Sequence, residues 1–131
     1  MTGESNLHAL LTNMRPALQE GQYVFLTSKE PYDNEVQSNA TMIFRESEGM
    51  TVIVKDEIAR TLDGGSQPRW AMITLTVHSD LAAVGFLAAI TRKLADAGIS
   101  VNPVSAFYHD HLFVPWETRE EAMTILSSLQ M

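Results

Sequence analysis

The residues of this sequence that could do chemistry lie between a predicted strand and a predicted helix. His78, Ser79 and Asp80 follow an alternating apolar run, and apolar residues at helical spacing begin at Leu81. Ser79 or Asp80 can cap that helix, whose first N–H groups point outward with the positive end of the dipole behind them. This corner therefore suits a small ligand that carries a carboxylate, although strand-to-helix turns that bind nothing have the same pattern.

Two histidines raise the question of a metal site. In a strand, His109 and His111 would share a face, and Asp110 and His78 could add ligands. No third ligand stands at a diagnostic spacing, however, and Asp110 is a typical turn residue because it tolerates left-handed geometry. We therefore predict that His109–His111 form a tight hairpin turn and bind no metal.

The sequence offers little for catalysis. The run 78–80 has the residue types of a catalytic triad, but adjacent residues at the end of a strand diverge and rarely meet. There is no G-x-S-x-G elbow, no P-loop and no glycine-rich dinucleotide motif, and there is no cysteine. We expect neither an enzyme nor a protein that carries a cofactor.

Composition restricts the partners and the location. The 131 residues are 45% hydrophobic and carry a net charge of −7 without any basic run, which argues against nucleic acid and against an anionic membrane surface. The most apolar run, Leu81–Ile90, is far shorter than the ~20 residues of a membrane span. The first residues show no signal-peptide pattern, and the absence of cysteine fits a reducing compartment, so we expect a cytoplasmic protein.

Short elements of both kinds must position these residues. A central strand over 70–77 and a long helix from 81 to 97, ended by Gly98, flank the corner. Before the central strand, we predict an amphipathic helix with an apolar stripe from Leu7 to Leu18 that ends or kinks at Pro16, then a strand over 22–28 and a loop over 29–39. A hairpin of 40–45 and 50–54 follows, with Gly49 at its turn, and then a helix from its cap Asp56 to Leu62. After the long helix, we predict strands over 99–108 and 112–116 and a last helix with the capping box Thr118 and Glu121.

The element order repeats within the chain. Residues 40–62 and 99–130 both run strand, turn, strand, cap, helix, and the central strand closes the first set and opens the second. Strand–helix–strand–strand–helix is most of a ferredoxin-like unit. The first half has a loop where its first helix should be, and the second lacks a closing strand. We predict an α+β fold of two ferredoxin-like units in tandem, with antiparallel sheets and helices on one face, divided into residues 1–66 with the leading helix and residues 67–131.

Several stretches resemble a known family. Trp70–Thr91 followed by Leu94–Asn102 resembles an ACT domain, the amino-acid-sensing module of aspartate kinases. Val104–Trp116 with Thr118–Ala122 is similar to small stand-alone bacterial proteins with tandem ACT-like repeats. Tyr23–Phe25 and Glu48–Val54 resemble the first repeat of those proteins. Such proteins are also similar to the cytosolic arginine sensors of animal cells.

The resemblance implies a non-catalytic regulatory module that binds a small amino acid where two ACT-like units meet. The helix start would receive the carboxylate and Asp80 the ammonium, with Asn102 or Ser105 as side-on partners. This loop reads His-Ser-Asp where the commonest ACT loop has Asp-x-Pro-Gly. The binding residues carried over from the family are His78, Ser79, Asp80, Leu81, Val84, Gly85, Val101, Asn102, Val104 and Ser105.

An alternative of another class is an interaction or scaffold module whose ACT units only pair and bind no ligand. The corner would then be filled by side chains, with Ser79 as a simple cap. Both alternatives leave open a homodimer or a partner enzyme, and neither identifies the amino acid.

The metal question has a direct test. The double substitution His109→Ala with His111→Ala should leave the metal content of the purified protein unchanged, because the turn needs no imidazole. Elemental analysis of both proteins measures this. Stoichiometric zinc present in the parent protein and lost from the variant would contradict a purely structural turn.

Overall fold

A computed structural model describes residues 6–77 and 84–130. Its helices are α1 (Leu7–Asn13), α2 (Asn34–Asn39), α3 (Asp56–Arg60), α4 (Phe86–Asp96) and α5 (Arg119–Ser127), and single 3₁₀ turns flank α5 at Trp116–Thr118 and Ser128–Gln130. Its strands are β1 (Pro16–Leu18), β2 (Tyr23–Ser28), β3 (Met42–Glu46), β4 (Gly49–Lys55), β5 (Trp70–Leu75), β6 (Asn102–Ser105) and β7 (Asp110–Pro115). No helix in this described part has the length and apolar composition that a membrane crossing needs.

The chain forms two compact units that do not coincide with its two sequence halves. We call residues up to Glu20 together with residues from Ala71 onward the split unit, and residues 21–70 the inner unit. The leading helix α1, which the sequence division assigned to the first half, packs in the split unit. The division of the sequence between residues 66 and 67 stays a prediction.

The split unit is a four-stranded sheet covered by helices. Its strand order is β1-β5-β7-β6, with β1 antiparallel to β5 and β6 antiparallel to β7. Helices α1, α4 and α5 supply one side of a continuous core, and alternate residues of β5 and β7 supply the other. The fully buried members of this core include Leu10, Ile73, Leu75, Ile90, Leu94, Leu112, Val114, Ala122 and Leu126.

The closing strand that the second half lacks comes from the start of the chain. Strand β1 lies beside β5 with Ala17 opposite Thr74, and the Gln19 N–H extends the ladder with a 2.8 Å bond to the Met72 carbonyl. The predicted apolar helix stripe through Leu18 was wrong, since the helix stops at Asn13. Pro16 disfavours helical geometry in the residue before it, so the chain becomes extended there.

The inner unit has the same element order. Strands β3, β4 and β2 form an antiparallel sheet, which Trp70 extends by pairing with Tyr23. The predicted loop over 29–39 was wrong in its second part, because 34–39 form α2. Asp33 caps this helix by accepting a 3.0 Å bond from the Val36 N–H. Six residues with a single buried side chain show no periodicity that a sequence pattern could reveal.

Both units therefore contain the strand–helix–strand–strand–helix order that defines a ferredoxin-like fold, and the predicted tandem α+β class is confirmed. The hairpin around Gly49 is confirmed as well. At this glycine (φ +153°) a Cβ atom would lie 2.4 Å from the Ser28 carbonyl oxygen, so the close approach of the two segments requires glycine.

The predicted turn at His109–His111 was wrong. The turn comprises residues 106–109, closed by a 3.0 Å bond from the Ala106 N–H to the His109 carbonyl, and Asp110 already belongs to β7. Asp110 stands opposite Ser105 in the ladder, and the Ser105 hydroxyl donates a 2.5 Å bond to its carboxylate. This cross-strand partner lets an aspartate occupy a buried strand position.

Several element ends also differ from the prediction. Helix α3 begins at Asp56 rather than after it and ends at Arg60, and Thr118 donates its hydroxyl to the Pro115 carbonyl instead of capping α5. Helix α4 begins at Phe86, five residues later than predicted for it. Its predicted end is confirmed, because Gly98 follows in the left-handed conformation (φ +77°).

One ion pair fastens the longest irregular segment of the inner unit. The Arg69 Nε atom lies 2.7 Å from Asp56 Oδ1, and only 17% and 18% of these two side chains are exposed. The same guanidinium donates to the carbonyls of Gly64 and Gln67. Arg69 thereby holds residues 61–69 against α3.

The substitution Asp56→Asn should lower the free energy of unfolding by about 1–3 kcal/mol, because it leaves the half-buried Arg69 guanidinium without its charged acceptor. It also removes the pair of Asp56 with the exposed Arg60, at 2.9 Å, which contributes about 0–1 kcal/mol. Asp96→Asn is a matched control, since Asp96 pairs with Arg92 where 63% and 79% of the side chains are exposed. The control should cost about 0–1 kcal/mol. Urea titration of the three proteins measures the difference, and equal losses would contradict the fastening role of Asp56.

Candidate functional site

The predicted binding residues fall into three groups. His78, Ser79, Asp80 and Leu81 lie outside the described residues, and so does the predicted helix cap. Val84 and Gly85 directly precede α4, while the remaining four, Val101, Asn102, Val104 and Ser105, lie in β6 or next to it. All the described members of this set belong to the split unit.

The start of α4 has backbone donors, and no described side chain caps them. Gly85 occupies the N-cap position with φ +89°, and within the described part of the chain no side chain caps the first turn. The first helical bond runs from the Ala89 N–H to the Gly85 carbonyl. An uncapped first turn leaves N–H groups and the positive end of the helix dipole for an anion. The sequence located these donors at residue 81, and the structure places them at Phe86.

Strand β6 is the outer strand of the split unit's sheet. Asn102 and Ser105 are exposed, whereas Val101 and Val104 are half-buried. The Ser105 hydroxyl is engaged with Asp110, so it is less available to a ligand than the sequence suggested. The Asn102 amide makes no hydrogen bond to any described residue and stays available.

A shallow groove joins α4 to the segment that leads into β6. Its volume is about 760 Å³, and one wall consists of the small side chains Ala88, Ala89 and Ala95. Of the predicted binding residues, Val101 lines this groove and the other described ones do not. The groove is therefore adjacent to the predicted site without reproducing it.

A polar cluster that the sequence analysis missed lies on β5 and β7. The Gln19 amide donates a 3.0 Å bond to the Thr74 hydroxyl oxygen, and that oxygen lies 3.0 Å from His111 Nδ1. Thr74 is 6% exposed, and Val104 stands opposite His111 in the ladder. The sequence signal was the threonine that interrupts the apolar residues of β5, but its partners lie 55 and 37 residues away.

This cluster favours a neutral imidazole. Burial lowers the pKa of His111 below its ordinary value of 6.5, His109 adds repulsion, and Asp110 opposes both effects. Because the Thr74 oxygen accepts from Gln19, its own hydroxyl can donate to Nδ1, which places the His111 proton on Nε2. Protonation of His111 on Nδ1 would remove the acceptor of the Thr74 hydroxyl and so oppose this hydrogen bond.

Thr74 and His111 are held within the sheet of the split unit. A hydroxyl beside an imidazole resembles a nucleophile and its base, but Thr74 is buried and already holds Gln19. His109 Nδ1 lies 3.4 Å from the carbonyl of Val77, the last residue described before the predicted binding loop. Within the described residues no three His, Asp or Glu side chains form a metal-binding group, and the absence of a metal stays a prediction.

Comparisons with known proteins agree on one family. A model of the ACT domain matches residues 2–63, and a second ACT-domain model matches residues 65–128. None of the curated proteins matches this chain.

Solved structures show the same similarity. A Vibrio cholerae protein of unknown function, described as a possible transport protein, is 39% identical with a TM-score of 0.84, over 95% of this chain and 96% of that one. The regulatory subunit of aspartate kinase from Thermus thermophilus, in its ligand-free form, shares 14% identity with a TM-score of 0.64, over 91% of this chain and 97% of that one. The second likeness concerns the fold alone.

The lowered pKa of His111 predicts a pH-dependent stability. Near pH 6.5 the unfolded chain binds this proton more readily than the folded one, so the free energy of unfolding should fall as the pH drops from about 7 to about 5. His111→Gln should flatten this fall, while the same change at the exposed His8 should not. Urea titrations at several pH values measure both slopes, and parallel slopes for wild type and His111→Gln would contradict the assignment.

Proposed function

The chain belongs to the ACT-domain family, and from this premise we propose that it is a regulatory module that binds a small amino acid without transforming it. The chain is a tandem of two ACT domains with the ferredoxin-like fold. The observation that carries the proposal is the start of α4. There, a left-handed glycine leads into an eleven-residue helix that no described side chain caps, in the unit where the sequence resembles ACT domains most specifically.

The amino acid's carboxylate would bind at the first turn of α4. The N–H groups of that turn and the helix dipole favour a negative group, as in other anion sites at helix starts. Gly85 at the N-cap position supports this role, because a glycine has no side chain of its own that would compete for the donors.

The ammonium group would be taken by Asp80. An acidic residue beside the carboxylate would repel it, so the proposal requires the Asp80 side chain to meet the other end of the ligand. Asn102 is the preferred side-on partner, since its amide is exposed and has no partner among the described residues. Ser105 is a weaker choice because it already donates to Asp110.

The remaining carried-over residues would form the walls of the site. They combine apolar surface with one imidazole and one hydroxyl, and they are His78, Ser79, Leu81, Val84, Val101 and Val104. The ligand's effect would pass to a second copy of the chain or to a partner enzyme, since ACT modules regulate other activities. We place the module in the cytoplasm, which the cysteine-free sequence supports.

One observation favours the alternative of a scaffold that binds no ligand. Phe107 and Tyr108, in the turn between β6 and β7, are 62% and 64% exposed and pack against each other at 5.1 Å. Exposed aromatic side chains are common in protein–protein contacts. The two functions differ in whether an amino acid stabilises the fold.

A thermal-shift screen of the twenty amino acids separates them. A ligand at a hundredfold excess over its Kd should stabilise the native state by about 2.7 kcal/mol, because it binds only the folded protein. We expect one amino acid, or one chemical class of them, to raise Tm. A flat screen would contradict ligand binding and favour the scaffold.

The screen has a matched pair of variants. Asp80→Asn should abolish the shift by removing the ammonium's counter-charge, whereas Asp96→Asn, the same change on an exposed helix end, should retain it. An undiminished shift in Asp80→Asn would show that the amino acid binds elsewhere.

A further inference from the structure

The inner unit contains a pocket of its own at the end of β2. Its volume is about 400 Å³, and its polar lining comes from two stretches, with Thr27, Ser28 and Tyr32 on one side and Asp63 and Gln67 on the other. All the lining residues lie within residues 21–70. The site therefore does not depend on the amino-acid site proposed for the split unit.

The pocket exists because β2 is paired over its full length along one edge only. On one side β2 pairs with β4 through all six residues, whereas β5 meets its other edge at Tyr23 alone. The bond from the Asp56 N–H to the Gln22 carbonyl fixes the alternation of the ladder, so Thr27 turns its backbone N–H and carbonyl away from β4. The residues after α3 lie along this edge and leave a gap.

The opposite wall of the pocket is held rigidly. The Gly64 N–H donates to the Ala59 carbonyl at 2.9 Å, and a Cβ atom on Gly64 would lie 3.2 Å from the Leu26 side chain. The Arg69 guanidinium donates hydrogen bonds to the Gly64 and Gln67 carbonyls. Asp63, between these anchors, is the one described residue other than glycine with a positive φ, at +68°. Its position is thus set before any ligand arrives.

The polar side chains that line the pocket have no partner in the described structure. No described residue makes a hydrogen bond with the hydroxyls of Thr27, Ser28 and Tyr32, the Asp63 carboxylate or the Gln67 amide. Thr27, Asp63 and Gln67 are exposed, and Ser28 and Tyr32 are half-buried, so these groups are free to exchange their water for a ligand that offers matching hydrogen bonds. Burial also raises the pKa of the Tyr32 phenol, so this hydroxyl remains a neutral donor and acceptor.

The charges select the ligand's chemistry. Asp63 is the single charged side chain in the pocket lining, and the nearby Arg69 guanidinium is neutralised by Asp56 at 2.7 Å. A carboxylate or phosphate would therefore meet repulsion without compensation, whereas an ammonium group would gain a charge-assisted hydrogen bond. The hydroxyls and the amide add partners for a neutral polar group.

We propose that this pocket binds a small ammonium compound that also carries a hydroxyl and lacks a carboxylate. The ammonium binds Asp63, and the hydroxyl lies among Ser28, Tyr32 and Gln67. The ligand class thus differs from the zwitterionic amino acid proposed for the split unit.

Three probes that differ by one group each test the proposal on the full chain. Ethanolamine has both required groups, serine adds a carboxylate, and ethylene glycol replaces the ammonium by a second hydroxyl. NMR titrations that follow the backbone amides of the inner unit should show saturable shifts centred on residues 27–32 and 62–67 for ethanolamine. Ethylene glycol should bind there at least about tenfold more weakly, the loss expected for one charge-assisted bond. Serine should also bind at least about tenfold more weakly, because its carboxylate meets the charge of Asp63 without compensation.

Variants locate the site. Asp63→Asn should weaken ethanolamine binding about tenfold while preserving the fold, because asparagine tolerates a left-handed backbone. Glu35→Gln, an equal loss of charge on an exposed face of the same unit, should leave binding unchanged. Tyr32→Phe, which removes only a hydroxyl, should weaken it as well and serves if Asp63→Asn unfolds.

Three results would overturn the proposal: no saturable shift at these residues, equal binding of serine and ethanolamine, or ethanolamine binding that neither Asp63→Asn nor Tyr32→Phe weakens. Serine shifts confined to the split unit concern the amino-acid site alone. The two proposals can therefore fail separately.

Discussion

The ladder between β1 and β5 is the contact on which the split unit depends. Ala71, Ile73 and Leu75 are fully buried, and a buried strand must pair its backbone groups on both edges. The three residues Pro16–Leu18, with Arg15 and Gln19 at the ends, supply the pairing on one edge. This requirement brings residues 6–20 to the second half of the chain and places Gln19 beside Thr74.

The same pairing explains the polar residues within the sheet. Thr74 lies between Gln19 and His111, and Asp110 faces Ser105, so each of these polar groups finds its partner on a neighbouring strand. Cross-strand bonds of this kind make a polar residue tolerable in an apolar strand, and they fix the register. In the split unit, ordered polar groups therefore lead up to Val77, where the predicted binding loop begins.

In the inner unit, the edge of β2 that faces away from β4 is covered in a different way. Its closing strand contributes one pair, at Tyr23 and Trp70, and an irregular segment fastened by Arg69 and Asp56 lies along the rest of β2. A segment of this kind cannot satisfy every strand group, and the pocket at Thr27 and Ser28 results. The two units share an element order and yet offer different chemistry, because a regular strand closes one edge and an irregular segment the other.

The sequence by itself determined the class of the fold. Period-two and helical spacings located β2, the hairpin of β3 and β4, and the helices α4 and α5, and short connections between them allowed little except a ferredoxin-like order. Stretches such as Trp70–Thr91 also carried the family resemblance, which the family models confirm. Glycine marked the end of α4 correctly at Gly98, because a left-handed backbone is a local property. Gly49 marked the hairpin for another reason, the close approach of β4 to the Ser28 carbonyl.

Only the tertiary structure decided which segments close each sheet and which polar residues meet. β1 has three residues and α2 six, too few for a period, and both are stabilised by contacts with distant segments. Asp110 resembled a turn residue because aspartate is common in turns. Its place in the strand depends on Ser105, a partner that the register of the ladder provides and that the residue type of Asp110 does not reveal. The helix α4 begins at Phe86 and not at the predicted residue 81, and the sequence did not indicate the pocket of the inner unit. Both features depend on groups that only folding brings together.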